Sequence, residues 1–262
     1  MLSSLLSLAI PGDGFACTLY GAIGTTVEGG GVLVGKTRDL WKGEEQVLLK
    51  ETASSGLAYI GLASRNDGRL TAGLNEKGLV IANASAASVA ARPRRHLRIE
   101  KVLGRARTVE EALKIFREEG MKSPIHYLLA DQKTLALLEV YSLERYEIKK
   151  TSGGVLFHTN HYLLPSMRAF NGKMSKSSAT RLERIQVLLK DPPFTISKFI
   201  SLAQDHGNGP GDLSICRHRP PMSKSGGITV SAIVFALGDG KPPEIWFRLG
   251  QPCEGTFEKA SF

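Results

Sequence analysis

Cysteine is scarce in this 262-residue chain, where Cys17, Cys216 and Cys253 are the whole set. An odd count with no Cys-x-x-Cys pair argues against a disulfide framework and against a four-cysteine zinc site, and it fits a reducing, cytoplasmic setting. Long apolar runs are missing too. Nothing approaches the roughly eighteen consecutive apolar residues of a membrane-crossing helix, so no membrane partner is expected. No internal repeat and no convincing linker divides the sequence, and its length suits one layered domain. The densest basic stretch, "RPRRHLRIEK" (92–101), lacks aromatic residues, which removes the stacking surface that single-stranded nucleic acid would use. It reads as a solvated basic segment, with an anion-binding patch as the alternative. The net charge of +9, from 34 Lys and Arg against 25 Asp and Glu, leaves nucleic acid, an anionic surface and an acidic substrate all open on charge alone.

The first residues, "MLSSLLSLAIPGDGFAC", hold a short apolar stretch and a small residue, Ala16, just before Cys17. A secretory or lipoprotein leader would need a basic residue ahead of the apolar stretch and a longer run, and here "PGDG" separates that run from the cysteine. A removable propeptide, residues 1–16, accounts for the segment better than secretion or lipid attachment.

After Cys17 come short β-branched or apolar runs at 18–27, 30–36, 45–51, 57–63, 69–75 and 78–85, separated by Gly, Asn and Asp clusters. These predict consecutive antiparallel strands. The period then changes in "TVEEALKIFREEG" (108–120), where Thr108 and Glu111 form a capping box, Val109, Ala112, Leu113 and Phe116 share a face, and Gly120 is a stop. Strands are predicted again at 126–132, 134–141 and 145–150. A strand running into a loop follows at 153–167, then helices at 178–190 and 195–205, a loop at 207–212, and strands at 228–238 and 244–250. Sheet, helices and sheet again, without βαβ alternation, point to an α+β layered sandwich of mostly antiparallel strands.

A cysteine at a chain terminus has a chemical logic that an internal one lacks. Its own α-amine, with an ordinary pKa of about 7.7–8.0, can relay the thiol's proton without a histidine. Such a site requires cleavage between Ala16 and Cys17.

Six segments occur in a telling order: "ACTLYGA", "GVLVGKTRDLW", "GLNEKGLVIANAS", "FHTNHYL", "SSATRLER" and "DLSICRH". Together they resemble the cysteine-type N-terminal nucleophile hydrolases, most closely the penicillin acyltransferase (isopenicillin N acyltransferase) family and more distantly the choloylglycine hydrolases. The resemblance runs over nearly the whole chain from Cys17 onward. It implies a four-layer αββα sandwich of two antiparallel sheets for residues 17–262, an autocatalytically removed leader, and cleavage of a linear amide C–N bond with no cofactor.

The same resemblance implies the site. Cys17 is the nucleophile, where the alternative is a buried small hydrophobe. Asp39 in "GKTRD" holds the α-amine and orients the nucleophile, and Lys36 falls where bile salt hydrolases carry arginine. A lysine near the thiol would favour the thiolate. The alternative for "GKTRD" is an ordinary surface turn. One oxyanion donor is the side-chain amide of Asn160. The second is a backbone N–H within 83–85, its register open between Asn83 and Ser85. Arg181 matches an arginine near the thiol, with Arg184 a helical turn away, and a solvated helix face is the alternative for both. Among the histidines, His158, His161, His206 and His218, "HTNH" and "CRH" lack a third partner at a recognised ligand spacing, so neither zinc nor a Cys216–histidine dyad is expected.

The expected partner is therefore a small-molecule amide, with an acyl-coenzyme A donor suggested by the basic surplus and no nucleic acid. Two rivals stand beside this reading: a non-catalytic basic binding protein on the same fold, and an unprocessed thiol hydrolase using histidine.

Overall fold

The computed structural model describes residues 16–41, 43–51, 56–89, 96–219 and 227–262. The leader up to residue 15 and the basic residues 92–95 lie outside the described residues. In chain order the elements are β1 (Ala16–Ile23), β2 (Val32–Leu40), β3 (Gln46–Glu51), β4 (Tyr59–Ser64), β5 (Leu70–Asn75) and β6 (Val80–Ser85), then α1 (Ile99–Leu103) and α2 (Val109–Ile115). Next come β7 (Ile125–Ala130), β8 (Leu135–Ser142), β9 (Arg145–Thr151) and β10 (Gly154–His158), then α3 (Lys176–Leu188) and α4 (Ile196–Ala203), and finally β11 (Ile228–Leu237), β12 (Glu244–Leu249) and β13 (Glu258–Ala260).

The strands form two antiparallel sheets. One is a seven-stranded meander, β3 to β9 in chain order, and the other has six strands in the order β10-β1-β2-β11-β12-β13. Side chains alternate faces along a strand, and that alternation sorts the core into three layers. Cys17, Leu19 and Ile23 of β1 join Val32 and Val34 of β2, and Leu128 and Leu135 of the meander, between the sheets. The other face of β1, with Tyr20 and Ala22, packs under Ile185 of α3 and Phe199 of α4. Tyr127 and Leu129 of β7 turn outward to Val102 of α1 and Leu113 of α2. Helices outside two facing sheets make the αββα sandwich that the motifs imply.

One local feature settles an alternative that the sequence left open, and two depart from the sequence reading. "GKTRD" (35–39) is not a surface turn but the buried second half of β2. Gly35 there is a packing residue, because a Cβ on it would sit 2.1 Å from the Tyr20 ring, whose hydroxyl donates to Phe199 O at 3.0 Å. The basic stretch ends in α1, whose Ile99, Val102 and Leu103 are buried, so its described half is amphipathic rather than simply solvated. The helix opened by Thr108 stops being α-helical at Ile115 and continues as a π-type turn, Phe116–Gly120. Its cap is also only half a box: Thr108 Oγ1 accepts from Glu111 N, while the Glu111 carboxylate accepts from Arg107 N.

Gly35→Ala should therefore lower stability by about 1–3 kcal/mol through overpacking against Tyr20. Gly153→Ala, which meets open space, should stay within about 0.5 kcal/mol. The midpoints of urea unfolding at unchanged slope check both.

Candidate active site

Cys17 is the second residue of β1 and is fully buried, its side chain on the face between the sheets. The β1–β2 register sets it opposite Arg38, and Leu19 opposite Lys36. Lys36 and Arg38 are two residues apart on the same face of β2, so both reach the sulfur. Lys36 Nζ lies 3.4 Å and Arg38 Nη1 3.9 Å from Cys17 Sγ, and Lys36 Nζ also donates to Asn83 O. Burial pushes the thiol up, but the two cations together outweigh it, and the net result is a thiol held below its ordinary value. Lys36 itself is brought down to about 8, chiefly by burial, with the nearby Cys17 acting the other way.

Asp39 occupies the opposite face of β2, facing Ala16 across the ladder. Its Oδ1 accepts from Thr229 Oγ1 at 2.7 Å. Oδ2 lies 3.6 Å from Arg217 Nη1 and 4.0 Å from Arg181 Nη1, and it accepts no hydrogen bond from the described residues. The carboxylate is thus fully buried beside the Ala16–Cys17 peptide rather than beside the sulfur.

Asn160 stands in the loop after β10. Its Oδ1 accepts from Arg181 Nη2 at 2.9 Å and from Cys17 N at 3.4 Å. Both partners are donors, which fixes the amide's orientation and leaves Nδ2 to donate to Ser85 O at 2.9 Å. The loop's backbone is held by Ser178 Oγ, which meets Asn160 N at 3.0 Å and His161 Nδ1 at 2.8 Å. Arg181, buried on α3, completes the frame by donating from Nη1 to Cys17 O at 2.8 Å and to Thr18 Oγ1 at 2.9 Å. Burial lowers its guanidinium to about 10.

The structure thus brings Cys17, Lys36, Asp39, Asn160 and Arg181 around one end of β1, with Asn83 and Ser85 entering through their carbonyl oxygens. Arg184 is separate, pairing with Asp205 at 2.6 Å. The β5–β6 ladder ends at Ala72 and Ala82, so 83–85 pair with β7 alone. Along that open edge lies a cavity of about 250 Å³ lined by Arg38, Asn83, Ser85, Asp67, Arg69 and Arg98 among others.

Sequence reasoning missed Arg38, although period-two alternation from Lys36 finds it once 35–39 is read as strand. Thr229 and Arg217 carry no local signal for their role beside Asp39. His158 and His161 are hydrogen-bonded core residues. His158 Nε2 meets Glu139 Oε1 at 2.7 Å, and the same carboxylate accepts from Leu163 N at 2.7 Å and Leu164 N at 3.2 Å. With its lone pairs so occupied, Glu139 fits a loop anchor, not a metal ligand.

The sequence matches the family described as acyl-coenzyme A:6-aminopenicillanic acid acyl-transferase over residues 26–254. No curated protein matches it. Among solved structures, an N-acylethanolamine-hydrolyzing acid amidase ortholog from Caenorhabditis elegans is similar with a TM-score of 0.55 at 14% identity, over 83% of this chain and 92% of that one. A cysteine-to-alanine mutant of the conjugated bile acid hydrolase from Clostridium perfringens is similar with a TM-score of 0.57 at 12% identity, over 94% and 97%. At these identities the likeness is one of fold, the N-terminal nucleophile hydrolase sandwich.

Removing the closest cation should leave burial to dominate the thiol. Lys36→Met is expected to move the Cys17 titration to higher pH by about one unit or more. The ultraviolet thiolate absorbance, taken as the difference from the same chain carrying Cys17→Ala, measures it.

Proposed function

The chain belongs to the acyl-coenzyme A:6-aminopenicillanic acid acyl-transferase family, and we propose that within it this protein is a self-processing hydrolase or acyltransferase that cleaves a linear amide through a thioester on Cys17. The observation that carries the reading is the double engagement of Cys17. Its sulfur lies against Lys36, at 3.4 Å, while its backbone nitrogen donates to Asn160 Oδ1, also at 3.4 Å.

In the first stage Cys17 Sγ attacks the Ala16 carbonyl carbon. The tetrahedral intermediate expels the Cys17 nitrogen, giving a thioester between residues 1–16 and the sulfur. Water hydrolyses that thioester, releasing the leader with a carboxylate on Ala16 and leaving Cys17 with a free α-amine. Asp39 and Asn160 Oδ1 are the acceptors for that amine. In the second stage the thiolate attacks the substrate amide, the α-amine carries the thiol's proton to the leaving nitrogen, and the acyl-enzyme passes its acyl group to water or to an amine acceptor.

The oxyanion is stabilised by the second Nδ2 hydrogen of Asn160 and by a backbone N–H of the open 83–85 edge. Arg181 acts on Asn160 and on the Cys17 carbonyl and so positions both. Arg69 and Arg98 beside the cavity pair with Asp67 and Glu100, so Arg38 is the cation there that could meet an anionic substrate group, and an acyl-coenzyme A donor rests on the chain's net positive charge alone. Cys216 is a poor rival nucleophile, since burial raises its thiol above the ordinary value.

Intact mass of the purified protein beside its Cys17→Ala variant tests the reading. The wild type should lack residues 1–16 and the variant should keep them; retention in both overturns self-processing. Asn160→Ala should slow both leader release and amide turnover by about 10²–10³-fold, followed by mass spectrometry over time and by kcat on an amide that the wild type hydrolyses.

A further inference from the structure

Away from Cys17, the described residues hold a second group of metal-ligating side chains that the mechanism does not use. His206, Cys216, His218 and Cys253 each offer one donor atom, and these four atoms lie within 4.8 Å of one another. We propose that they form a structural zinc site.

The distances carry the argument. A tetrahedral zinc ion with Zn–S of about 2.3 Å and Zn–N of about 2.0–2.1 Å sets edges of about 3.8 Å between sulfurs, about 3.6 Å from sulfur to nitrogen and about 3.3 Å between nitrogens. Here the Cys216 and Cys253 sulfurs are 3.5 Å apart, and His218 Nε2 lies 3.8 Å from Cys216 Sγ and 3.3 Å from Cys253 Sγ. These three edges agree with the tetrahedron to within about 0.3 Å. Of the three edges from His206, the two to the sulfurs lie within 4.8 Å, and the one from His206 Nε2 to His218 Nε2, at 2.7 Å, is short, so the imidazoles open by about 0.6 Å to admit the ion.

The ligands come from three segments already tied together. Cys216 N donates to Asp205 O at 3.1 Å, Gln204 Nε2 to Pro252 O at 2.9 Å, and Gln251 Nε2 to Arg217 O at 3.1 Å. Cys216 and His218 are two apart, the spacing that turns both side chains to one side of an extended segment. Binding converts both thiols to thiolates, their two protons going to solvent, while the imidazoles bind neutral. Two thiolates balance Zn²⁺, so the partly buried site carries no net charge. The site also has a place in the molecule's economy of position: Arg217, between two ligands, is the residue that reaches Asp39 Oδ2 at 3.6 Å. Zinc at this point would pin the loop that presents Arg217. Residue spacing alone argues against zinc here, because His206, Cys216, His218 and Cys253 match no recognised ligand pattern.

The test uses the full-length protein, reduced, incubated with zinc chloride, passed through gel filtration and analysed for metal. About one zinc ion per chain is expected, falling to near zero in Cys253→Ser and in His206→Gln, two variants so that one misfolded chain does not decide the matter. Replacement by Co²⁺ should give the visible absorption of a tetrahedral thiolate complex in the wild type. A reduced wild-type chain that elutes without metal overturns the site, whether its oxidised mass shows a Cys216–Cys253 disulfide or two free thiols. Undiminished zinc in both folded variants overturns it equally. Cys17→Ala should bind zinc as the wild type does, so this result is independent of leader release.

Discussion

Lys36, Arg181 and Arg217 are each sealed from water around one buried carboxylate, Asp39, and one buried thiol, Cys17, with the half-buried Asp212 acting on Arg181 from outside. Arg38 adds a fourth cation at the edge of the same cluster. Burying a charge without an opposite one beside it is costly, and one buried aspartate with a second at the edge does not balance four cations. The strain shows in the groups themselves: burial brings Lys36 down to about 8 and Arg181 to about 10. An anion at the sulfur relieves it. The thiolate is therefore favoured by what surrounds it, and the local structure is arranged around the need for that negative charge.

Two adjacent central strands deliver this arrangement economically. On β2, alternation sends Lys36 and Arg38 between the sheets and Asp39 to the helix side, while β1 runs antiparallel beside it with Cys17 facing inward. The Ala16–Cys17 peptide is thereby bracketed, cations on the sulfur side and a carboxylate on the other. The remaining partners arrive from far along the chain. Asn160 is fixed by Ser178 and by the Glu139-anchored turn, and Arg181 is carried by α3 across the outer face. Rigid elements hold each group, which suits a site whose geometry must precede its chemistry.

The fold was legible because strand runs and turn residues alternate plainly and because six segments keep their order. The residues around Cys17 were legible as members of those segments. What escaped was either conformational or long-range. "GKTRD" has a turn's composition, yet its glycine serves as the hollow under the Tyr20 ring, a contact between neighbouring strands that no local pattern announces. With the strand taken to stop at residue 36, Arg38 has no place in the alternation and is absent from the candidate set. Thr229 and Arg217 meet Asp39 only because β11 pairs with β2. Cys253 meets His218 only because the segment after β12 folds back against the loop between α4 and β11. In each case the information lies in the sheet topology and not in residue spacing.

The charge balance also bears on what cleavage before Cys17 would create. A new α-amine at this position would lie beside Arg181, whose Nη1 donates to the Cys17 carbonyl, and beside Asn160 Oδ1, which already accepts from the Cys17 nitrogen. Asp39 carries the opposite charge, with Oδ2 lacking a hydrogen-bond donor among the described residues. An amine placed there would have the Asp39 carboxylate and the Asn160 oxygen as acceptors when it takes up the thiol's proton. The cations that favour the thiolate lie on one side of the Ala16–Cys17 peptide and the acceptors for the amine on the other, so the two halves of the nucleophile would be served by separate faces of β2.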